Sequence, residues 1–215
     1  NYEIGFKGNL YKNILFQTSI FYQDREDVQT KQSLVTSIKS GDQGGLCPCS
    51  FTDYTGNVVK GSNYGLELEL IWLINNKTDL FFNLGLLETE FNNYLSFSHV
   101  DSDLKNAIPV DLTGRNQAHA PQYQLSLGMN YRITDNLFIK FDIEMKDEFY
   151  FSDRHNLQSD DYIIFNILLS YQKDSWEFNI FGKNLSDEDY QTRGFGSFGN
   201  DPRKFYATEP YFQFG

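Results

Sequence analysis

The chain has 215 residues, a formal net charge of -11 and an aromatic-rich composition with 20 Phe and 14 Tyr. The acidic balance argues against nucleic-acid binding, because a nucleic-acid-binding protein needs a basic surface to neutralise phosphates. No apolar run reaches the roughly 18 residues that a membrane-spanning helix requires, whereas aromatic and β-branched residues favour strands.

Alternation of apolar and polar residues with a period of two predicts β-strands along the whole chain. In chain order, strands are expected near 2–11, 14–33, 58–74, 78–91, 120–133, 137–151, 159–172 and 175–185, and a ninth is expected to begin at about Pro210. The clearest alternation runs from Leu137 to Lys146, where one set of alternate residues is apolar and the other is mostly charged. Each predicted strand therefore has an apolar face and a polar face.

The predicted connections are of two kinds. Short turns are expected at 11–13, 75–77, 134–136 and 173–175, and loops at 34–57, 92–119, 152–158 and 186–209. Short turns at one end and mostly long loops at the other describe an antiparallel up-and-down sheet. Outer-membrane barrels have this asymmetry, with short periplasmic turns and longer extracellular loops.

Two all-β folds fit the pattern, a soluble sandwich and a membrane barrel. Sandwich strands are usually about five or six residues long, and a sandwich gives no reason for tyrosine and tryptophan near strand ends. Tyr64 with Trp72, and Tyr123 with Tyr131, occupy such positions, as the aromatic girdles of a barrel do. The sequence therefore predicts an all-β, antiparallel up-and-down transmembrane β-barrel. Because an open sheet edge is unfavourable in lipid, its eight to nine strands are expected to be a fragment of a larger barrel.

Five stretches resemble the C-terminal part of the barrel of TonB-dependent outer-membrane receptors. They are 1–8 (NYEIGFKG), 22–28 (YQDREDV), 60–69 (KGSNYGLELE), 114–123 (GRNQAHAPQY) and 181–190 (FGKNLSDEDY). In this order they are similar to the family patterns YE-x-G-x-K, FY-x-D-x-x-D, G-x-E-x-E, AP-x-Y and N-L-x-D-x-x-Y. Residues 1–215 are accordingly expected to be the C-terminal portion of such a barrel. The plug domain, the N-terminal barrel strands and the final strand are expected to lie outside the chain.

The resemblance implies a barrel of about 22 strands whose lumen is closed by a plug domain of the same chain. It also implies three further partners: outer-membrane lipid, the TonB complex acting through the N-terminal part, and an extracellular small-molecule ligand. The usual ligand is a ferric siderophore or a similar metal chelate, imported across the cell outer membrane with TonB-supplied energy. A passive porin-like channel and a structural or adhesive surface barrel are the alternatives. No cofactor and no nucleic-acid partner are indicated.

Cys47 and Cys49, separated by Pro48, lie in a Gly-rich stretch of the predicted loop 34–57. An extracellular, oxidising location favours a disulfide, although a bridge across one residue is strained. The alternative is capture of a soft metal by two thiolates. No His accompanies the pair nearby, so the sequence predicts a structural disulfide and no metal site.

Candidate ligand contacts lie in the predicted loops. Aromatic residues and arginines can stack on a planar or catecholate ligand and pair with its anionic oxygens. The candidates are Arg115, His119, Arg193, Phe195, Phe198 and Arg203. For the aromatic-rich last loop, packing on its neighbours is the alternative.

The other polar residues form no pattern that predicts a binding site or a catalytic site. Charged residues of the polar faces, Glu67 and Lys146 among them, are expected to line a hydrated inner wall and to contact the plug. The three histidines, His99, His119 and His155, lack the spacing of metal ligands. Nothing orders a His-Asp-Ser catalytic set, so no enzyme activity is predicted.

Overall fold

The computed structural model describes residues 1–38, 49–100, 107–153, 156–196, 205–208 and 213–214. The strands in these ranges are β1 (Tyr2–Tyr11), β2 (Ile14–Ile38), β3 (Cys49–Asn75), β4 (Thr78–Phe91), β5 (Leu95–Val100), β6 (Ala107–Asp111), β7 (Tyr123–Arg132), β8 (Leu137–Lys146), β9 (Tyr162–Lys173), β10 (Trp176–Lys183), β11 (Arg193–Gly196), β12 (Phe205–Thr208) and β13 (Gln213–Phe214). Within the same ranges, no helix is long and apolar enough to cross a membrane.

Nine of these strands form one antiparallel sheet in the order β1-β2-β3-β4-β7-β8-β9-β10-β13. The predicted up-and-down arrangement is confirmed, with the hairpins β5–β6 and β11–β12 inserted into two of its connections. Short turns join the strands at 12–13, 76–77, 133–136 and 174–175, close to the predicted positions. The short strand β13 pairs with β10, near the position expected for a ninth strand.

The strand register places residues of like character side by side across the sheet. One apolar row comprises Leu68, Leu84, Leu125, Met145 and Ile163 on five neighbouring strands. The row beside it comprises Glu69, Asn83, Ser126 and Glu144. Because successive side chains of a strand point to opposite faces, the sheet has an apolar face and a polar face that continue from strand to strand.

Aromatic residues mark the two ends of the apolar face. Tyr2, Tyr22 and Tyr64 lie directly opposite one another on β1, β2 and β3. Trp72 lies on the same face at the other end of β3, about 26 Å from Tyr64 at roughly 3.3 Å per residue. A tilted transmembrane strand needs about 9–11 residues to cross the apolar band, which aromatic girdles flank on both sides. The segment from Tyr64 to Trp72 therefore has the length of a strand in a membrane wall.

The prediction of a loop at 34–57 is wrong over much of this range. β2 continues to Ile38 and β3 begins at Cys49, and the two strands remain paired along this extension. The extension lies beyond the tyrosine row. Its sequence mixes polar and apolar residues on both faces, so it lacks the alternation that marks a strand between apolar and polar surroundings.

Other differences concern loops and strand ends. The predicted loops 92–119 and 186–209 contain the hairpins β5–β6 and β11–β12. The strand expected from 120 begins only at Tyr123, because Pro121 has no N–H to donate to a neighbouring strand. The strand expected to reach 151 ends at Lys146, and an isolated bridge between Tyr150 and Gln158 closes the loop after it.

A small apolar core lies at the end of the sheet that carries the long connections, which is called the loop end below. Phe91, Tyr94 and Leu112 are buried there, and Val110 packs against them. The rings of Phe91 and Tyr94 are 4.9 Å apart between centroids. This core fixes the hairpin β5–β6 to the end of β4.

Candidate functional site

The polar face carries charged and amide side chains that are partly paired with one another. Asn130 donates to Asp79 Oδ2 at 2.7 Å, and Asn166 donates to Asp142 Oδ2 at 2.8 Å. Lys140 Nζ lies 3.4 Å from Asp142 Oδ1. Exposed ion pairs of this kind contribute little to stability, and the face has the character of a hydrated wall.

Residues 114–119, called the bridging segment, cross the loop end of β2, β3 and β4. The Gln117 backbone N–H donates to Thr89 Oγ1 at 2.9 Å. The Gln117 side chain donates to Asn63 Oδ1 at 2.8 Å and accepts from Arg25 at 3.2 Å. One residue therefore ties together three neighbouring strands through its backbone and both ends of its amide.

The bridging segment also contacts the connection between β8 and β9. The backbone N–H of Ala118 donates to Asp153 Oδ1 at 2.8 Å, and that of His119 donates to Tyr150 O at 2.9 Å. His119 adopts a left-handed backbone conformation with φ 55°, which is uncommon for a residue other than glycine. The contacts hold the His119 backbone in this conformation.

Arg115, predicted as a ligand contact, is half-buried. Its side chain contacts the connection between β8 and β9. Its guanidinium carbon lies 3.9 Å from the centroid of the Tyr150 ring. Nη1 donates to Asn156 Oδ1 at 3.2 Å, and Nη2 donates to the carbonyl oxygen of Ser152. Burial lowers the pKa of the Arg115 guanidinium, whereas the electrostatic effects of Tyr150 and Asp153 act to raise it. The geometry therefore makes Arg115 a residue that positions two loops.

The side chains of Lys146 and His119 each lie beside the ring of Phe149 at the loop end. Phe149 is buried, with 4% of its surface exposed. Lys146 Nζ lies 4.7 Å from the centroid of this ring, and the His119 ring lies 5.5 Å from it at an angle of 40°. The sequence assigned Lys146 only to the hydrated wall. No pattern in the sequence indicated that the end of β8 meets a loop residue 27 positions earlier.

The remaining candidates lie elsewhere. Arg193 is exposed in β11 and pairs with Thr208, and Phe195 in the same strand pairs with Tyr206. The structure thus brings Arg115 and His119 together and places Arg193 and Phe195 in the hairpin β11–β12.

Phe198 and Arg203 lie outside the described ranges, and so do Cys47 and the Cys49 side chain. Their predicted roles in ligand contact and in a disulfide stay predictions. In the part of the chain that the structure describes, no three His, Cys, Asp or Glu side chains are grouped so as to hold a metal ion.

The segment 184–190, which carries the N-L-x-D-x-x-Y pattern, forms a hydrogen-bonded turn after β10. Asn184 is 3% exposed and left-handed, with φ 52°. Its Oδ1 accepts from Glu188 N at 3.0 Å, its Nδ2 donates to Glu188 O at 2.9 Å, and its own N–H donates to Asn166 Oδ1 at 3.1 Å. Asn tolerates the left-handed region because its short side chain bonds to the local backbone.

Tyr190, the last residue of that pattern, packs on the polar face. Its ring centroid lies 4.1 Å from that of Tyr162 in β9. Burial and the nearby carboxylate of Glu144 raise the pKa of the Tyr190 phenol. The pattern therefore describes a structural turn that returns the chain to the sheet.

The family model for the TonB dependent receptor-like β-barrel matches residues 1–185 of this chain. Among solved structures, the ferric yersiniabactin uptake receptor FyuA from Yersinia pestis is similar at 20% identity, with a TM-score of 0.70. The match covers 99% of this chain and 28% of FyuA.

Two further solved structures are similar over most of this chain. The siderophore receptor PiuA from Acinetobacter baumannii shares 19% identity with a TM-score of 0.68, and the match covers 97% of this chain and 26% of PiuA. The copper transporter OprC shares 13% identity with a TM-score of 0.57, over 87% of this chain and 26% of OprC. The chain thus spans about a quarter of the length of the structures that it resembles. At these identities the likeness establishes the fold, an antiparallel arc of a transmembrane β-barrel.

Proposed function

Because the chain belongs to the TonB-dependent receptor-like β-barrel family, we propose that it is part of an outer-membrane receptor that imports a scarce solute with TonB-supplied energy. In this proposal the chain is the C-terminal arc of the barrel, its apolar face contacts membrane lipid, and its polar face lines the lumen around a plug domain. The loop end is extracellular and takes part in ligand capture. The protein acts as a transporter and not as an enzyme.

The observation that carries the proposal is the continuity of the two faces across a sheet that matches this family. Alternation between lipid and lumen explains why the apolar and polar rows lie side by side across the neighbouring strands β3, β4, β7, β8 and β9. A hydrated polar wall is useful only if it encloses a passage or a plug, because a soluble sandwich would bury its faces against each other.

The cargo class is proposed from the similar structures. PiuA is described as a siderophore receptor, FyuA as a ferric yersiniabactin uptake receptor and OprC as a copper transporter. A ferric siderophore or a similar metal chelate is therefore the cargo class that we propose for this protein.

Uptake measurements in whole cells test the proposal. The gene for the full polypeptide is deleted, and accumulation of radioactive iron presented as a panel of ferric siderophores is compared in wild-type, deleted and complemented cells, each with and without a working TonB system. The proposal predicts uptake of at least one chelate that requires both the gene and TonB. Entry that needs the gene but not TonB would indicate a passive channel. Equal uptake of every solute with and without the gene would indicate a structural or adhesive barrel.

A further inference from the structure

A groove crosses β1 to β4 and the start of β7 on the apolar face of the sheet, near the loop end. Its volume is about 880 Å³, and small-ligand pockets usually measure roughly 300–1,000 Å³. Its walls come from two rows of the strand register. The row nearer the loops includes Tyr22, Tyr64 and Glu88, and the other row includes Ile20, Leu66 and Leu86.

The strand register shows which face carries the groove. The residues between the two rows, Phe21, Gly65 and Leu87 among them, also line it. Their side chains point to the polar face, because successive residues of a strand alternate, so they contribute the backbone floor. The walls are open, with Ile20 56% and Tyr64 52% exposed. The groove therefore presents apolar surface to whatever lies against the apolar face.

Glu88 is a carboxylate in the same row as the tyrosines. It is half-buried, and among the described residues the hydrogen bond that it accepts comes from Gln122 Nε2, 3.4 Å from its Oε2. A carboxylate that has lost part of its hydration is stabilised by a cationic hydrogen-bond donor. The amide of Gln122 is a distant and uncharged donor, so Glu88 is able to accept from a further group.

The next row towards the loops adds negative charge on the same face. Asp24, Ser62 and Glu90 lie opposite one another there, two residues beyond the tyrosine row on each strand. Within the described strands neither row contains a basic residue, and Lys60, further out on β3, is paired with Glu26 at 3.1 Å. An anionic phosphate group would be repelled at this edge of the groove, whereas an ammonium group would be attracted.

We propose that the groove binds one membrane lipid whose headgroup carries a primary amine. An acyl chain lies between the two apolar walls, and the ammonium group donates a charge-assisted hydrogen bond to Glu88. Tyr22 and Tyr64 lie at the level of the headgroups, as interfacial tyrosines do. The proposal rests on the proposed function, in which the apolar face contacts lipid and the loop end is extracellular.

Native mass spectrometry of the full-length receptor in neutral detergent tests the site. Phosphatidylethanolamine, phosphatidylcholine and phosphatidylglycerol with identical acyl chains are added at equal concentrations, and the lipids that stay bound after removal of the detergent are counted. The wild type should retain one phosphatidylethanolamine with about tenfold preference over phosphatidylcholine, because the choline ammonium has no N–H to donate to Glu88.

Two pairs of variants separate the headgroup contact from the groove. E88Q should bring phosphatidylethanolamine and phosphatidylcholine close to equal retention, whereas E177Q, on the polar face of β10, should leave the preference unchanged. L66W places a larger side chain in a wall of the groove and should lower the retention of all three lipids. L127W adds the same side chain to the apolar face outside the groove and should not.

Four results would overturn the site. They are equal retention of phosphatidylethanolamine and phosphatidylcholine by the wild type, equal loss of preference in E88Q and E177Q, unchanged retention in L66W, and a preference for phosphatidylglycerol that requires Ca²⁺ and is lost in EDTA. The last result would mean that a divalent cation joins the carboxylates to a phosphate group.

All variants are first required to show the wild-type mobility of the folded barrel in unheated gels. The test is independent of transport. A receptor that retains the amine lipid but shows no TonB-dependent uptake contradicts the proposed function and leaves the lipid site intact, whereas uptake without the lipid preference contradicts only the lipid site.

Discussion

The ring of Phe81 lies over Gly128, its directly paired neighbour on the adjacent strand. A methyl group at position 128 would stand 2.6 Å from Phe81 Cε1 and 2.6 Å from the carbonyl oxygen of Phe141, both closer than van der Waals contact allows. A similar relationship holds between Phe21 and Gly65 on β2 and β3. In these pairs an aromatic ring covers backbone that a glycine leaves bare.

Replacing Gly128 by alanine should therefore destabilise the barrel. The added methyl group overpacks a site closed by a ring and by backbone, which costs about 1–3 kcal/mol. G85A is the control, because nothing lies within 4 Å of a Cβ at Gly85 on the same face. Urea-dependent unfolding of the full receptor in lipid vesicles should show a lower midpoint for G128A and little change for G85A. Equal midpoints for the two variants would contradict the packing described.

The orientation of the sheet predicts opposite outcomes for neighbouring lysine substitutions in β7. Leu127 lies midway between Tyr123 and Tyr131 on the apolar face, and Ser126 lies on the polar face. L127K should cost about 2–4 kcal/mol, because it places a charge near the middle of the bilayer, whereas S126K should cost much less. The measurement is the yield and stability of the folded receptor refolded into vesicles. A greater loss for S126K would mean that the faces are reversed.

Asn184 should contribute to the stability of the barrel through its side-chain hydrogen bonds as well as through its backbone conformation. N184G keeps the left-handed backbone without strain but removes the contacts with Glu188, and should cost about 1–3 kcal/mol. N184A adds backbone strain and should cost more. N179A, at an exposed position of β10, is the control and should be close to neutral. If N184G unfolds like the wild type, the hydrogen bonds of the turn contribute nothing to stability.

Replacing Arg115 should loosen the loops that it contacts more than it destabilises the barrel. R115A removes the contacts with Tyr150, Asn156 and the Ser152 carbonyl, so the 147–161 connection should be cleaved faster by added protease while the barrel stays folded. R115K should only partly restore protection, because lysine lacks the planar fork of the guanidinium group. R132A, at the opposite end of the sheet, should leave cleavage unchanged. An unchanged rate of cleavage in R115A would show that Arg115 does not position the 147–161 connection.

The strands between the aromatic rows could be predicted from the sequence, because lipid and water impose opposite demands on alternate residues there. β8 shows this most clearly. Its odd-numbered residues from Leu137 to Met145 are all apolar, and its even-numbered residues are charged except for Phe138. Beyond the tyrosine row that contrast ends, and the extension of β2 to Ile38 was not predicted.

The site could be predicted only in part. Arg115 and His119 were found as loop residues with suitable chemistry, but their partners were not. Contacts such as Arg115 with Tyr150, or His119 with Phe149, join residues about thirty positions apart. They depend on how the connections fold over the sheet, for which a single sequence has no periodic signal.

The orientation of the sheet in the membrane is tested most directly by a scan of β8 with spin labels in the full-length receptor embedded in vesicles. Labels are attached at single cysteines after Cys47 and Cys49 have been replaced. Collision rates with oxygen, which partitions into lipid, and with a water-soluble nickel complex are then measured. A wall with lipid on its apolar face should give a two-residue period, with high oxygen accessibility at Leu137, Ile139, Phe141, Ile143 and Met145 and low values at the residues between them. Absence of that period, or the opposite phase, would contradict a wall with lipid on its apolar face and a lumen on its polar face.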